Sequence, residues 1–145
     1  MRKRCHRTPR PLSAPMLVNR GLVNTDLETR ERMAVEAFRL GVATTENFDT
    51  LADMRDCLLL SAAAKNDAGT LGMCRAAGIA LLNIADRFKE SGRMGATGDE
   101  LTVLREFCTT YRDYWLRQPV SAYETAVATL DRARRLNQTE VEIRS

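Results

Sequence analysis

The chain has 145 residues, of which 44% are apolar and 28% are charged, as expected for one globular domain. Aromatic residues make up only 6%, while alanine and leucine are abundant, and this balance favours helices over sheets. Four cysteines without a Cys-x-x-Cys pair, together with a single histidine, exclude the usual zinc sites. We therefore expect reduced thiols, no metal and no cofactor.

Residues 1–21 form a basic, proline-containing arm. The first 25 residues contain no acidic side chain and six of the 22 Lys and Arg residues, whereas the other 120 have 16 basic against 19 acidic side chains. Prolines 9, 11 and 15 oppose regular structure, so we expect an extended or disordered arm. The arm could bind nucleic acid or an acidic partner, and the alternative is a terminus that only improves solubility. The candidate binding residues are Arg2, Lys3, Arg4, Arg7 and Arg10.

No stretch of the sequence has the pattern of a targeting or membrane segment. The basic start runs into residues 8–15, whose three prolines oppose both the apolar core of a secretion signal and the amphipathic helix of a mitochondrial presequence. The longest apolar stretch, 76–85, is interrupted by Asn83 and is too short to span a bilayer. We therefore expect a cytoplasmic protein without membrane contact.

Three capping boxes mark helix starts. Each pairs a hydroxyl residue with a glutamate three positions later, so that the two side chains can bond the free backbone N–H groups of the first turn. The boxes are Thr25–Glu28, Thr97–Glu100 and Ser121–Glu124. Together with the apolar periodicity, they predict helices over 26–40, 44–65, 68–90, 98–118 and 122–137.

These helices predict an all-α fold, a single compact bundle over residues 22–138 with 139–145 as a frayed tail. The third helix is apolar around most of its circumference, which places it in the middle of the bundle with Leu82 on its inner side. The residues expected in the core include Leu71, Leu81, Leu104 and Leu130.

Two polar segments have both a functional and a structural interpretation. The glycine-rich segment 92–98 opens the fourth helix and could hold an anion, but it lacks the spacing of a phosphate loop and is better explained as a flexible connection. One side of the second helix is acidic and could hold a cation or a basic partner, although a solvated face is the simpler interpretation. Its carboxylates are Glu46, Asp49, Asp53 and Asp56.

Arg55 lies in the centre of the apolar face of the second helix. An unpaired charge in a core is costly, so we expect a carboxylate partner. Asp86, Glu90 and Glu106 are the candidates, and the alternative is a small-molecule pocket around the guanidinium.

The fourth predicted helix carries half of the chain's aromatic residues within nine positions. Such a cluster builds either a core or an interaction surface. Together with Leu101, Val103 and Leu104 it covers nearly half of the helix, which is wider than one core contact needs. If it is a surface, this helix would bind a partner or form a homodimer. The candidate interface residues are Phe107, Tyr111, Tyr114 and Trp115.

Enzyme signatures are missing: the sequence has no nucleophile elbow, no metal pair and no histidine after His6. In general style the chain resembles small accessory proteins encoded by bacterial phages and mobile elements. The wide aromatic face and the missing catalytic groups favour a regulator or inhibitor. We therefore expect a non-catalytic helical protein that binds a protein partner of unspecified identity. The alternative is a nucleic-acid-binding regulator that uses the basic arm with Arg132, Arg134 and Arg135, and whose affinity falls steeply with salt.

Overall fold

The computed structural model describes residues 29–144, with side chains through residue 138, and the predicted all-α bundle is confirmed. Five helices and no strand are present in this part of the chain. The basic arm and the Thr25–Glu28 box lie outside the described residues. The helices are α1 over 29–40, α2 over Thr45–Ala64, α3 over Ala68–Ser91, α4 over Gly98–Leu116 and α5 over Val120–Arg144.

Two helices end where the sequence predicted, each at a residue with left-handed backbone. Gly41 has φ 72° after α1, and its N–H and that of Val42 bond the carbonyls of Phe38 and Ala37 at 3.2 and 2.9 Å. Asn66 has φ 54° and ends α2 with the same pattern of hydrogen bonds. Both ends satisfy carbonyls that would otherwise lack donors.

The capping boxes were predicted with mixed success. The Thr97–Glu100 box is confirmed, with the Thr97 N–H donating to Glu100 Oε2 at 2.9 Å. The Ser121–Glu124 box is wrong, because α5 already begins at Val120. Pro119 has a fixed φ that suits a helix start, and its carbonyl accepts from the Ala122 N–H at 3.0 Å.

Helix α2 packs against both α3 and α5, and α3 also packs against α4. Leu81 and Leu104 are buried as predicted, while Leu71 and Leu130 are partly buried against the core. The inner position predicted for Leu82 is wrong, because this side chain is 63% exposed. Helix α3 packs tightly against α2 and α4, and Leu82 points away from both.

Candidate interaction surface

The aromatic cluster of α4 lies in the core. Phe107, Tyr111, Tyr114 and Trp115 are between 0% and 7% exposed, so these four side chains do not form the predicted interface. The Tyr114 and Ser61 hydroxyls share a buried hydrogen bond of 2.6 Å, and the Trp115 ring meets Tyr123 of α5 edge-on at 5.1 Å. Through Tyr114 and Trp115 the aromatic face reaches α2 and α5, in addition to the packing of α4 against α3.

A cavity of about 220 Å³ lies where α1, α2, α4 and α5 meet. Burial raises the pKa of the Cys57 thiol to about 11 and also raises the pKa of the Tyr111 hydroxyl. Both groups are therefore protonated at neutral pH, where neither is a strong nucleophile or base. The residues that line the cavity include Glu31, Asp53, Cys57, Tyr111, Tyr123 and Arg134.

Arg55 has a local partner, and the three predicted partners are wrong. Its Nη1 atom lies 2.8 Å from Asp56 Oδ1 of the next residue. The guanidinium lies against α3 at Gly78, where an added Cβ atom would be 3.1 Å from Nη2. A glycine at this position therefore lets the arginine fill the crossing between α2 and α3, which is a structural role.

The acidic side of α2 is partly neutralised by ion pairs. Asp56 bonds Arg55, and Asp53 bonds Arg134 of α5. Among the described residues, no group of three or more His, Cys, Asp or Glu is arranged to hold a metal. The pair with Asp53 also engages one of the three arginines that the nucleic-acid hypothesis placed on α5.

The glycine-rich segment is tied to its neighbours by an ion pair that the sequence did not reveal. Arg87 of α3 bonds both carboxylate oxygens of Glu100, with Nη1 to Oε1 at 2.8 Å, and its Nη2 donates to the Gly95 carbonyl at 3.1 Å. The bond from Arg87 lowers the pKa of the Glu100 carboxyl. The capping box indicated Glu100, but no pattern in the sequence indicated Arg87.

The outward side of α3 exposes two large apolar side chains on adjacent helical turns. Ile79 and Leu82 are 62% and 63% exposed. Among the large exposed apolar residues of the described chain, they are the only two that lie one helical turn apart. Arg75 and Asp86 flank them along the same side, and both are exposed. Neither charge has an ion-pair partner among the residues that the structure describes.

Helix α3 also has the length and apolar composition of a possible membrane span. Helix α3 has 24 residues and a mean hydropathy of 1.3 in its most apolar window, so it is long and apolar enough to cross a bilayer by length and composition. Core helices of soluble proteins pass the same test. The apolar stretch 76–85 is by itself too short to span a bilayer, but the helix that contains it extends over Ala68–Ser91.

The outer face of α3 is thus the strongest candidate for an interaction site, since it combines exposed apolar area with charges whose partners are missing from the described chain. Comparison with known proteins gives no match: no family model, no curated protein and no solved structure is similar to this chain.

Proposed function

We propose that this chain is a non-catalytic, cytoplasmic protein-binding bundle that regulates or inhibits a partner through the outer face of α3. One observation carries the proposal: Ile79 and Leu82 expose apolar side chains on adjacent turns between Arg75 and Asp86. Apolar contact area with charges at its edge is the usual anatomy of a protein interface.

The chemistry of the interior supports a binding role over catalysis. The Cys57, Cys74 and Cys108 thiols have pKa values raised by burial to about 11, 11 and 12, so they are poor nucleophiles at neutral pH. The buried Glu100 carboxylate is engaged in an ion pair with Arg87 and in the cap at Thr97.

Substitution of Leu82 by aspartate tests the proposal. Leu82→Asp places a carboxylate in the centre of the apolar surface, and a partner that covers it should lose at least about tenfold in affinity. Leu136→Asp on α5 is the matched control, because both leucines are 63% exposed. The partner is isolated from cells that express the chain, purified, and titrated against each variant by calorimetry.

The proposal requires a purified protein that binds the wild-type chain and Leu136→Asp equally and Leu82→Asp weakly. Equal binding to all three chains would show that the partner does not bind the outer face of α3. Circular dichroism melting of each variant checks that the bundle remains folded.

A second candidate function is nucleic-acid binding, for which Arg132 and Arg135 on α5 are exposed and add to the positive charge that the sequence gives the arm. Its distinguishing property is salt dependence, since counterion release makes such affinity fall steeply with ionic strength. Contact through Ile79 and Leu82 is instead dominated by apolar burial, which salt does not weaken.

A further inference from the structure

The exposed side of α3 follows a heptad pattern. Its residues recur at alternating spacings of three and four, the pattern that keeps side chains on one face of a helix over several turns. Six residues follow this pattern, and all six are exposed in the structure. They are Gly72, Arg75, Ile79, Leu82, Asp86 and Lys89.

When two copies of α3 pair in antiparallel orientation, the exposed side of one helix is complementary to the same side of the other. A two-fold axis through the midpoint of residues 80 and 81 places Ile79 opposite Leu82 of the second copy and Arg75 opposite Asp86 of the second copy. A two-fold interface repeats each contact, so the Ile79–Leu82 pair and the Arg75–Asp86 pair each occur twice in one symmetric surface. The outermost layer places the small Gly72 opposite the long side chain of Lys89.

The charges also select the direction of pairing. If the two helices ran parallel in register, Arg75 would face Arg75 and Asp86 would face Asp86, and each like-charged contact is unfavourable. In the antiparallel arrangement, both charges gain a partner of opposite sign, which neither has among the described residues of a single chain.

We propose that two copies of this chain associate through antiparallel pairing of their α3 helices along these six residues. The inference rests on the proposed function, because it uses the same surface and names a second copy as the partner. The stripe is roughly 26 Å long at the rise of an α-helix. One helix pair of this length covers less than the roughly 800 Å² per partner of a standard interface, so we expect a reversible dimer with dissociation in about the micromolar range.

A charge-swap series tests both the dimer and its direction. Sedimentation velocity of the full-length chain between about 1 and 200 µM should show a monomer that becomes a dimer as concentration rises. Arg75→Asp alone and Asp86→Arg alone should each weaken dimerisation about tenfold, because each replaces two attractive contacts by two repulsive ones. The double variant Arg75→Asp/Asp86→Arg should restore dissociation to within about threefold of wild type.

Parallel pairing predicts a different result, since each single reversal would only exchange one like-charged contact for another. Equal dimerisation by all four chains would therefore overturn the antiparallel arrangement. Leu82→Asp should remain monomeric throughout this range, and Leu136→Asp should dimerise like wild type. A dimer that survives Leu82→Asp would overturn the assignment of the face.

A wild-type chain that stays monomeric at all concentrations would overturn the homodimer. If a different purified protein then binds in a manner that Leu82→Asp abolishes, the proposed function stands and only the identity of the partner is wrong. If the wild-type monomer instead co-floats with phosphatidylcholine vesicles in a density gradient and the Leu82→Asp variant does not, the outer face of α3 binds a lipid surface. Both proposals then fail.

Discussion

At the scale of single residues, the Arg87–Glu100 pair shows how a carboxylate remains charged at a nearly buried position. The Glu100 side chain is only 11% exposed, yet it accepts bonds from both terminal nitrogens of Arg87 and from the Thr97 N–H. These donors replace the water that burial removes. Because Arg87 also bonds Gly95, one ion pair joins the end of α3, the glycine-rich segment and the start of α4.

Glu100→Gln should lower the free energy of unfolding at pH 7 by about 1–2 kcal/mol, because the amide keeps the shape but loses the charge that Arg87 bonds. The folded-state pKa of Glu100 lies below its ordinary value of 4.5. The stabilisation is therefore present above pH 4.5 and is lost as pH falls through the lower, folded-state pKa. Urea unfolding at about pH 7, 5 and 3 measures the difference between the two chains.

The difference between wild type and Glu100→Gln should shrink as the pH falls, since acid removes the same charge from the wild-type chain. Glu106→Gln, at an exposed position on the same helix, is the control and should leave stability at pH 7 nearly unchanged. A Glu100→Gln effect that is constant from pH 7 to 3 would show that the charge is not what stabilises this junction.

At the scale of helices, ends that depend on one residue's own conformation were the most predictable. Gly41 and Asn66 end their helices through positive φ, a property of those residue types. The Thr44 cap of α2 pairs with Asn47 in place of glutamate, so a pattern that requires glutamate does not indicate its second partner. Ser121 matched the pattern, but Pro119 starts the helix earlier.

The Thr97 and Ser121 hydroxyls should contribute differently to stability, because only Thr97 caps a helix. Thr97→Ala should lower the free energy of unfolding by about 1 kcal/mol, because it removes the oxygen that accepts from the Glu100 N–H. Ser121→Ala should change it by no more than a few tenths of a kcal/mol, since this serine lies inside α5, where alanine is the better helix former. Chemical denaturation of the two variants at pH 7 measures both values, and a Ser121→Ala loss equal to that of Thr97→Ala would contradict the assigned start of α5.

The interaction surface could not be located from the sequence for a physical reason. Periodicity shows which side of a helix is apolar, but it does not show which neighbouring helix covers that side. On α4 the wide aromatic face is covered by residues such as Ser61 and Tyr123, so the predicted interface became core. On α3, Leu82 was predicted to face inward, but it is exposed together with Ile79.

At the scale of the whole molecule, one continuous core joins all five helices. Cys57 of α2 and Cys74 of α3 are 6% and 0% exposed within it, together with Phe38, Leu104 and Ala126 from the other helices. When every helix contributes to one core, a small domain usually unfolds in a single cooperative step. Helix α3 packs against both α2 and α4, so its early separation would have to break both of these contacts.

The two buried thiols can report whether α3 separates early. In a Cys5→Ser/Cys108→Ser background, iodoacetamide at about pH 8 should modify Cys57 and Cys74 slowly in the native protein, because both are buried and burial raises the pKa of each to about 11. Peptide mass spectrometry across a urea series should show both thiols becoming reactive at the same urea concentration, where the helical signal is also lost. The fully unfolded chain supplies the reference rate for each thiol. Modification of Cys74 at clearly lower urea than Cys57 would mean that the packing of α3 on α2, including Arg55 over Gly78, fails before the rest of the bundle, and a single cooperative core would then be the wrong description.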